Sequence, residues 1–520
     1  MSLDSRFPFR VAAIDVGSNA IRFVVAEFVA PGNWMELEVQ RVPVRLGHGV
    51  FLTGQLDPRA MAAAVEAMGA FRRSIDTLGV PRYRAVATSA VRESRNGGEF
   101  VDWVRRETGI QLETITGSEE ARLVWIAVRN RVALDDRAWV TVDLGGGSLE
   151  VSLVSSEGIH WAESHTMGTV RLLEDLGGPD GDPAEFRELV AEYVNTLRFQ
   201  DQIDRDEIGG LLATGGNIEA LAKLAGAEPD STGVSRLPLA DLRRVIEELG
   251  EVGVAERIRR WDLRSDRADV ILPAGLLYER VAVLAGVDEI LVPHVGVKEG
   301  VILDVAEDLL GPGVHASRLE QQAFVGALSL GRRFQFDETH ARHVARHALS
   351  LFDQLQGMHR LSDADRRVLL VAAVLHDVGQ FISYRKHHKH SLYLIHNSEV
   401  PNVSARELEL VALVARYHRR AEPKEEHFLY GELGEPERLR VRRLSSILRI
   451  ADALDREHLQ RVESVTAVLD DDELVIEVEG RGDLLLEQWA FRKKARMFTH
   501  VFGRDVRLAV AEPALGPRII

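Results

Sequence analysis

One local pattern occurs twice in this chain, in "VAAIDVGSNAIRFVVAEF" (residues 11–28) and in "VTVDLGGGSLEVSLV" (residues 140–154). In each copy an apolar strand pattern ends near an aspartate, Asp15 or Asp143, and a glycine-containing turn leads into a second apolar strand. Glycine lets a turn adopt backbone dihedrals that other residues avoid, and it lets a ligand approach the backbone closely. The repetition predicts a fold built from two similar halves, each with a strand–turn–strand unit.

The two turns are predicted to bind phosphate through successive backbone N–H groups, which form a concave anion site. A carboxylate beside such a site would repel a bare phosphate, so Asp143, with Glu150, is predicted to hold Mg²⁺ that the phosphate shares. A third strand–turn–helix element, "LLATGGNIEALAKL" (residues 211–224), has the same character. The alternative, that each turn is only a tight β-hairpin, does not explain three such elements. The candidate phosphate-binding residues are Gly17, Ser18, Asn19, Gly145, Gly146, Gly147, Ser148, Gly215 and Gly216.

Length and composition limit the class of protein. A chain of 520 residues is too long for one core, so two to four domains are expected. The absence of cysteine excludes disulfides and thiolate catalysis, and no apolar run reaches the roughly 18 residues of a membrane span. A net charge of −16 argues against general nucleic-acid binding. Because the first residues also lack a signal-peptide core, we expect a cytoplasmic protein without membrane association.

Strand and helix patterns alternate up to about residue 305 and then change. Strands are predicted at 10–16, 21–28, 83–88, 139–144, 149–154 and 211–214, and helices at 58–78, 97–107, 118–132 and 238–249. The glycines and proline of 309–319 predict a linker, followed by an all-helical region up to about 460. Residues 462–520 are predicted to form a small α+β tail with two strands around 465–479, a helix at 484–500 and a last strand at 505–510.

Six motifs, in order, resemble those of the Ppx/GppA phosphatases, which are exopolyphosphatases and guanosine pentaphosphate phosphohydrolases of the actin/Hsp70/sugar-kinase superfamily. They are "DVGSNAIRFVVA", "ATSAVRES", "TGSEEARLVW", "VDLGGGSLEV", "MGTVRL" and "ILPAGLLYERV". The resemblance implies a duplicated actin-like (ribonuclease H-like) α/β module with subdomains at 1–125 and 126–310. It also implies that Glu120 is the general base, and that the protein is a homodimer.

Phosphoanhydride hydrolysis requires neutralised phosphoryl charge and an oriented water. Glu120 would polarise the water, and Arg92 and Arg22 are candidates for pairing with phosphate oxygens. Without the resemblance, Glu119 and Glu120 would be interpreted as acids at a helix N-terminus that Ser118 caps. For Arg22 the alternative is an exposed strand arginine.

The helical region carries four residues in the order H…HD…D, namely His340, His376, Asp377 and Asp452. This order resembles the HD phosphohydrolase superfamily, so we predict an HD-type domain at 315–460 and a small subdomain at 461–520. The resemblance implies that the four side chains bind one divalent metal, such as Mn²⁺. His390 and His418 occupy places where some HD proteins add ligands or substrate contacts. Whether this domain is itself hydrolytic stays open.

The function favoured by the sequence is exopolyphosphatase, releasing orthophosphate from the ends of inorganic polyphosphate. Hydrolysis of guanosine pentaphosphate (pppGpp), a sensing role with weak hydrolysis, and a kinase activity are the alternatives. Basic clusters at 384–390, 416–424 and 491–496 are candidates for guiding a polyanion, although the last cluster also fits a solvated helix face.

Overall fold

The computed structural model describes residues 7–135, 137–177, 183–198, 208–469 and 473–510, so residues 1–6 and 511–520, at the ends of the predicted domains, lie outside it. The chain divides into two compact units, Met1–His315 and Ala316–Ile520. Among the described residues, no helix is both long and apolar enough to cross a membrane.

The first unit contains two mixed sheets that share a five-stranded arrangement, and the second sheet has one additional edge strand, β10. The first sheet has the order β3-β2-β1-β4-β5 and the second β10-β11-β9-β6-β7-β8. In both, a central strand pairs antiparallel with the next strand in sequence and parallel with a later one, as β1 does with β2 and β4, and β6 with β7 and β9. The strands are β1 (Phe9–Val16), β2 (Ile21–Ala30), β3 (Asn33–Val42), β4 (Arg82–Ala87), β5 (Leu112–Thr114), β6 (Ala138–Leu144), β7 (Leu149–Val154), β8 (Ile159–His165), β9 (Ile208–Thr214), β10 (Ser235–Pro238) and β11 (Glu289–Val292). The predicted duplication is confirmed.

Helices cover these sheets because their apolar faces need a partner surface. Buried residues of strands and helices form three hydrophobic clusters in this unit. The helices are α1 (Val50–Thr53), α2 (Pro58–Thr77), α3 (Ser89–Glu93), α4 (Gly97–Thr108), α5 (Gly117–Arg131), α6 (Thr169–Asp175), α7 (Pro183–Val194), α8 (Gly216–Ala225), α9 (Leu239–Gly250), α10 (Val254–Trp261), α11 (Ser265–Ala268), α12 (Ile271–Ala285) and α13 (Val297–Leu310).

The second unit is helical with one small sheet of order β12-β13-β14. Val462, Ile476 and Phe498 of the tail belong to the same hydrophobic cluster as the helices before it. Its elements are α14 (Pro312–Arg333), which begins just before the unit, α15 (Glu338–Gln354), α16 (Gln356–His359), α17 (Asp363–Leu375), α18 (His387–His396), α19 (Ala405–Arg416), α20 (Glu435–Ala453), β12 (Val462–Leu469), β13 (Glu473–Gly480), α21 (Leu485–Lys494), α22 (Arg496–Phe502) and β14 (Asp505–Val510), with 3₁₀ turns at Val378–Phe381 and Tyr430–Glu432.

Two sequence predictions about local structure need correction. The predicted linker at 309–319 does contain the boundary between the two units, which lies between His315 and Ala316. It is nevertheless almost wholly helical, because α13 runs to Leu310 and α14 starts at Pro312, with only Gly311 between them. Proline is tolerated in the first turn of a helix, where its missing N–H would have had no partner. The predicted helix at 484–500 is two helices, α21 and α22, which meet at Ala495.

Candidate active site

The three predicted turns line one cavity of about 990 Å³ in the first unit. The β1–β2 turn contributes Gly17, Ser18 and Asn19, the β6–β7 turn contributes Gly145 and Gly146, and the start of α8 contributes Gly215 and Gly216. Gly147 and Ser148 complete the β6–β7 turn but are not among the lining residues. Because the two β-turns end equivalent central strands of the two sheets, the duplicated fold places them at one cavity.

The β6–β7 turn is held from behind by α6, a contact that the sequence analysis did not foresee. The N–H groups of Thr169 and Val170 donate to the carbonyls of Gly145 and Gly146, at 3.1 and 2.8 Å. These bonds occupy the carbonyls of the turn, whereas the N–H groups of Gly146 and Gly147 have no acceptor within the described part of the chain. The turn therefore keeps N–H donors for an anion.

Gly168, just before α6, is where this contact is tightest. A Cβ atom on Gly168 would lie 2.3 Å from backbone atoms of Gly146 and Gly147. Only glycine therefore fits this position without moving the turn. The motif "MGTVRL" contains this glycine, and its position against the turn explains why that motif belongs to the site.

Three carboxylates converge beside the turns. Asp143 and Glu150 are direct partners in the β6–β7 pairing, so their side chains lie side by side, and Glu120 reaches them from the first turn of α5. One oxygen from each of the three lies within 4.8 Å of the others. Glu120 Oε2 and Glu150 Oε2 are buried and have no hydrogen-bond partner among the described residues.

Burial and the repulsion between neighbouring carboxylates raise the pKa values of Glu120, Asp143 and Glu150. Burial, reinforced by Glu150, raises the pKa of Glu120 well above its usual range, against the opposing effect of Arg92. Burial also raises the pKa of Glu150 to about 7, although Ser148 donates a hydrogen bond to it. The pKa of Asp143 is raised by burial as well, while Thr214 donates to its Oδ1 at 2.8 Å. A cluster of buried carboxylate oxygens with unpaired atoms fits a hard divalent cation such as Mg²⁺.

The structure separates Glu120 from its neighbour Glu119. Glu119 is bound by Arg122, whose Nε donates at 2.7 Å, and by Arg84 at 2.9 Å. These cations lower the pKa of Glu119 despite its burial. Glu119 is therefore a structural acid, and Glu120 is the one that faces the cavity. The cap of α5 is Thr116, which accepts from the N–H of Glu119 at 3.2 Å, so Ser118 is not the cap that the alternative interpretation of these acids assumed.

The two predicted arginines differ in position. Arg22 lines the cavity and donates to Asp15 at 3.0 Å. Arg92 is not a lining residue; its Nη1 donates to the carbonyl of Ile115 at 2.9 Å and lies 3.6 Å from Glu120 Oε2. The geometry therefore connects Arg92 directly with Glu120.

Sequence reasoning missed Thr88, Ser89 and Arg267, which also line the cavity. Ser89 Oγ is 2.9 Å from Ser18 Oγ, which joins the "ATSAVRES" motif to the first turn. A Cβ on Gly216 would lie 2.4 Å from Arg267 Nη2, so glycine there makes room for the guanidinium. Burial and the neighbouring Arg264 lower the pKa of Arg267. No motif marked it, because it is distant in sequence from the turns it approaches.

Comparison with known proteins identifies the family. The model of the Ppx/GppA phosphatase family matches residues 24–309, and that of Ppx/GppA phosphatase domain III matches residues 325–488. The chain belongs to the Ppx/GppA phosphatase family. This confirms the family resemblance and the actin-like fold of the first unit.

Solved structures similar to this Ppx/GppA protein match a little over half of its length. An exopolyphosphatase from Cytophaga hutchinsonii is 26% identical with a TM-score of 0.50, covering 58% of this chain and 98% of that one. An exopolyphosphatase-like protein is 25% identical with a TM-score of 0.52, covering 58% of this chain and 99% of that one. The Aquifex aeolicus PPX-GPPA enzyme is 25% identical with a TM-score of 0.48, covering 57% and 99%.

In the second unit of this Ppx/GppA protein, the residues that predicted an HD-type site come together. Nε2 of His340 and Nε2 of His376 each lie 3.8 Å from Asp452 Oδ1. Asp377 Oδ2 lies 3.8 Å from His376 Nε2. Nε2 of both histidines is buried without a hydrogen-bond partner in the described residues. Burial lowers the pKa of His376 to about 4, so this imidazole is neutral at pH 7 and can act as a metal ligand.

Two neighbours of this cluster were not foreseen. Asp455 accepts from Nδ1 of His340 at 2.8 Å and so directs Nε2 toward Asp452, as carboxylates do for metal-binding histidines. The ammonium of Lys494 contacts Oδ2 of Asp452 and leaves Oδ1 facing the histidines. Burial lowers the pKa of Lys494 to about 7.

Proposed function

We propose that the first unit is an exopolyphosphatase, which hydrolyses the terminal phosphoanhydride bond of inorganic polyphosphate and releases orthophosphate. The observation that carries this proposal is the group of Glu120, Asp143 and Glu150. Glu120 and Asp143 of this group line the same cavity as the three glycine turns. Membership of a phosphatase family and the likeness to a solved exopolyphosphatase support it.

In the proposed mechanism the turns hold the terminal phosphoryl group through their N–H groups, and Arg267 and Arg22 face the anionic chain. Asp143 and Glu150 would hold Mg²⁺, which neutralises phosphoryl charge when bound. Glu120 accepts a proton from the attacking water as its oxygen bonds to phosphorus. The bridging oxygen leaves with its electron pair, and the products are orthophosphate and a chain shortened by one unit. Arg92 positions the carboxylate of Glu120.

Guanosine pentaphosphate is the second candidate, because the cavity extends past the turns to Trp34, Arg41 and His294 and has room for more than a terminal phosphate. The two substrates are to be compared by kcat/KM on one preparation. We expect polyphosphate to exceed pppGpp at least tenfold, and the reverse order would contradict the proposed substrate. Phosphate release without an acceptor argues against a kinase, and no turnover of either substrate would favour a sensing role.

Thermal stabilisation by Mg²⁺ is expected to increase from pH 5.5 to pH 8. The pKa of Glu150 is raised to about 7, so the contribution of this group to stability is complete below about 4.3, the ordinary value for glutamate, and is lost as the pH rises through about 7. The ionised form of Glu150 is the one that would hold Mg²⁺ together with Asp143, so bound Mg²⁺ restores the stability lost.

The increase is measured as the change in Tm with and without Mg²⁺ across this pH range. Glu150→Gln is expected to abolish it, whereas Glu157→Gln, at an exposed residue of the same sheet region, should retain it. An Mg²⁺ effect that is the same at both ends of the range would contradict the assignment of the cation to these carboxylates.

For the second unit we propose that His340, His376, Asp377 and Asp452 hold Mn²⁺ or another divalent transition metal, in an HD-type arrangement. Imidazole nitrogens with carboxylates suit such metals better than Mg²⁺.

The family resemblance also leads us to propose a homodimer, which sedimentation velocity can test.

A further inference from the structure

The β6–β7 turn has one carbonyl that a side chain, rather than the backbone, holds in place. Backbone N–H groups of α6 bind the first two carbonyls of the turn. The third carbonyl, that of Gly147, accepts from Nε of Arg171 at 2.8 Å, and no other described group donates to it. We infer that Arg171 is a positioning residue for phosphate, because it fixes the orientation of the peptide between Gly147 and Ser148.

The orientation of this peptide decides which of its two polar groups faces an anion at the turn. In a planar trans peptide the carbonyl and the following N–H point in opposite directions. Arg171 holds the carbonyl of Gly147 on its own side and so turns the N–H of Ser148 away from itself. That N–H has no acceptor within the described ranges and is available to phosphate. A reversed peptide would present a carbonyl oxygen instead, which only accepts hydrogen bonds and cannot bind an anion.

Arg171 is itself held by the other half of the first unit. Its Nη2 donates to Glu93 at 2.5 Å, and its guanidinium carbon lies 4.0 Å from the centre of the Phe51 ring. Only 13% of the Arg171 side chain is exposed, and a cation so far removed from water needs such partners. Arg171 belongs to the half that contains β6–β11, whereas Glu93 and Phe51 belong to the half that contains β1–β5.

The half with β1–β5 also packs directly against the turn at Gly147. A Cβ atom on Gly147 would lie 2.4 Å from Cζ of Phe51 and 2.4 Å from Oγ of Ser89, so only glycine fits there without movement. Phe51 thus packs against both Gly147 and the guanidinium that binds the Gly147 carbonyl. Through Arg171, the orientation of this peptide depends on contact between the two halves.

This inference rests on the proposed phosphatase chemistry of the first unit, but not on which phosphoanhydride that unit hydrolyses. Loss of one aligned N–H donor at an anionic transition state costs about 10²–10³-fold in kcat. Without Arg171 the peptide keeps its donor but no longer holds it in one direction, so we expect a loss at the lower end of this range. A residue that served only the fold would lower Tm and leave the rate of the folded enzyme unchanged.

The first measurement is kcat/KM of the full chain, on whichever of polyphosphate and pppGpp the unaltered protein hydrolyses faster. We expect Arg171→Ala to lower kcat/KM by about 10²-fold. Arg171→Lys should recover at least about fivefold of that loss, since an ammonium can still donate to the Gly147 carbonyl. A preference for pppGpp would contradict the proposed substrate alone, because the effect of Arg171 is then measured on pppGpp.

Arg129→Ala is the matched control, because Arg129 makes the same two kinds of contact away from the turn. Its guanidinium carbon lies 4.4 Å from the centre of the Trp125 ring, and its Nη2 lies 3.4 Å from Glu307. Arg129→Ala should lower Tm and keep kcat/KM within about twofold of the unaltered protein.

A double variant tests whether Glu93 acts through Arg171. Glu93→Ala is expected to lower kcat/KM by about tenfold, and Glu93→Ala/Arg171→Ala should be no slower than Arg171→Ala alone. Two losses that multiply in the double variant would overturn the dependence on the other half of the unit.

Binding of inorganic phosphate in the presence of Mg²⁺, measured by titration calorimetry, tests the inference without turnover. We expect Arg171→Ala to bind phosphate at least about tenfold more weakly than the unaltered protein, and Arg129→Ala to bind it equally well. If Arg171→Ala does not fold, Arg171→Lys and Glu93→Ala carry the same comparison. Unchanged phosphate affinity and unchanged kcat/KM in the folded variants would overturn the inference.

Discussion

Replacement of Glu120 by glutamine is expected to lower kcat by about 10²-fold or more and to leave KM nearly unchanged. Glutamine keeps the size of the side chain but cannot accept a proton from water. The loss therefore falls on the chemical step, while the turns and arginines proposed to bind the phosphate chain are unchanged. Steady-state kinetics with polyphosphate as the substrate measure kcat and KM of both proteins.

Glu119→Gln is the matched control for this variant. The two acids are adjacent in sequence, but Glu119 is bound to Arg122 and Arg84. We expect Glu119→Gln to lower Tm and to change kcat by less than about tenfold, since the affected groups do not contact the reacting atoms. Near-native turnover in Glu120→Gln would remove Glu120 from the mechanism.

Gly168→Ala is expected to lower kcat/KM by about 10²-fold, an effect that follows from the tertiary structure alone. The added methyl group would lie 2.3 Å from the backbone of Gly146 and Gly147, so the β6–β7 turn has to move. A displacement of about 1 Å in groups that orient a substrate can cost this much in rate. The kinetic constants and Tm are to be measured together, because a folded variant with a low rate locates the damage in the turn.

Gly98→Ala provides the control, since Gly98 lies in α4 and no atom is found within 4 Å of its added Cβ. Its kcat/KM should stay within about twofold of the unaltered protein, and its stability should rise slightly, because alanine favours a helix. A Gly168→Ala enzyme with full activity would show that the turn tolerates displacement and does not bind the phosphoryl group tightly.

Local patterns determined the elements of the first unit. Strand alternation and turn chemistry depend on neighbours in sequence, so β1, β2, β6 and β7 were predicted within a few residues. The same reasoning placed the boundary between the two units within 309–319, but it did not predict that this segment is helical. Proline is common both in loops and in the first turn of a helix, so its presence alone does not show whether a helix follows.

The roles of residues whose partners are distant in the sequence could not be predicted from local patterns. Arg122 contacts Asp304, which lies 182 residues away in the sequence. Arg84, also distant in sequence, contacts Glu119 itself. These contacts make Glu119 a structural residue. Likewise His387 and His390 occur in one basic run, and only the packing of Gly379 against α18 decides which of them faces Asp377.

By itself, therefore, the sequence determined the duplicated strand–turn units, the helical second region and the types of side chain that carry the chemistry. Only the tertiary structure decided which acid of the pair enters the cavity, which histidine faces Asp377, and that Gly168 packs against the β6–β7 turn. The physical reason is the separation in sequence of the interacting residues. Turn and strand preferences act between neighbours in sequence, whereas ion pairing, burial and close backbone contact depend on residues that folding brings together.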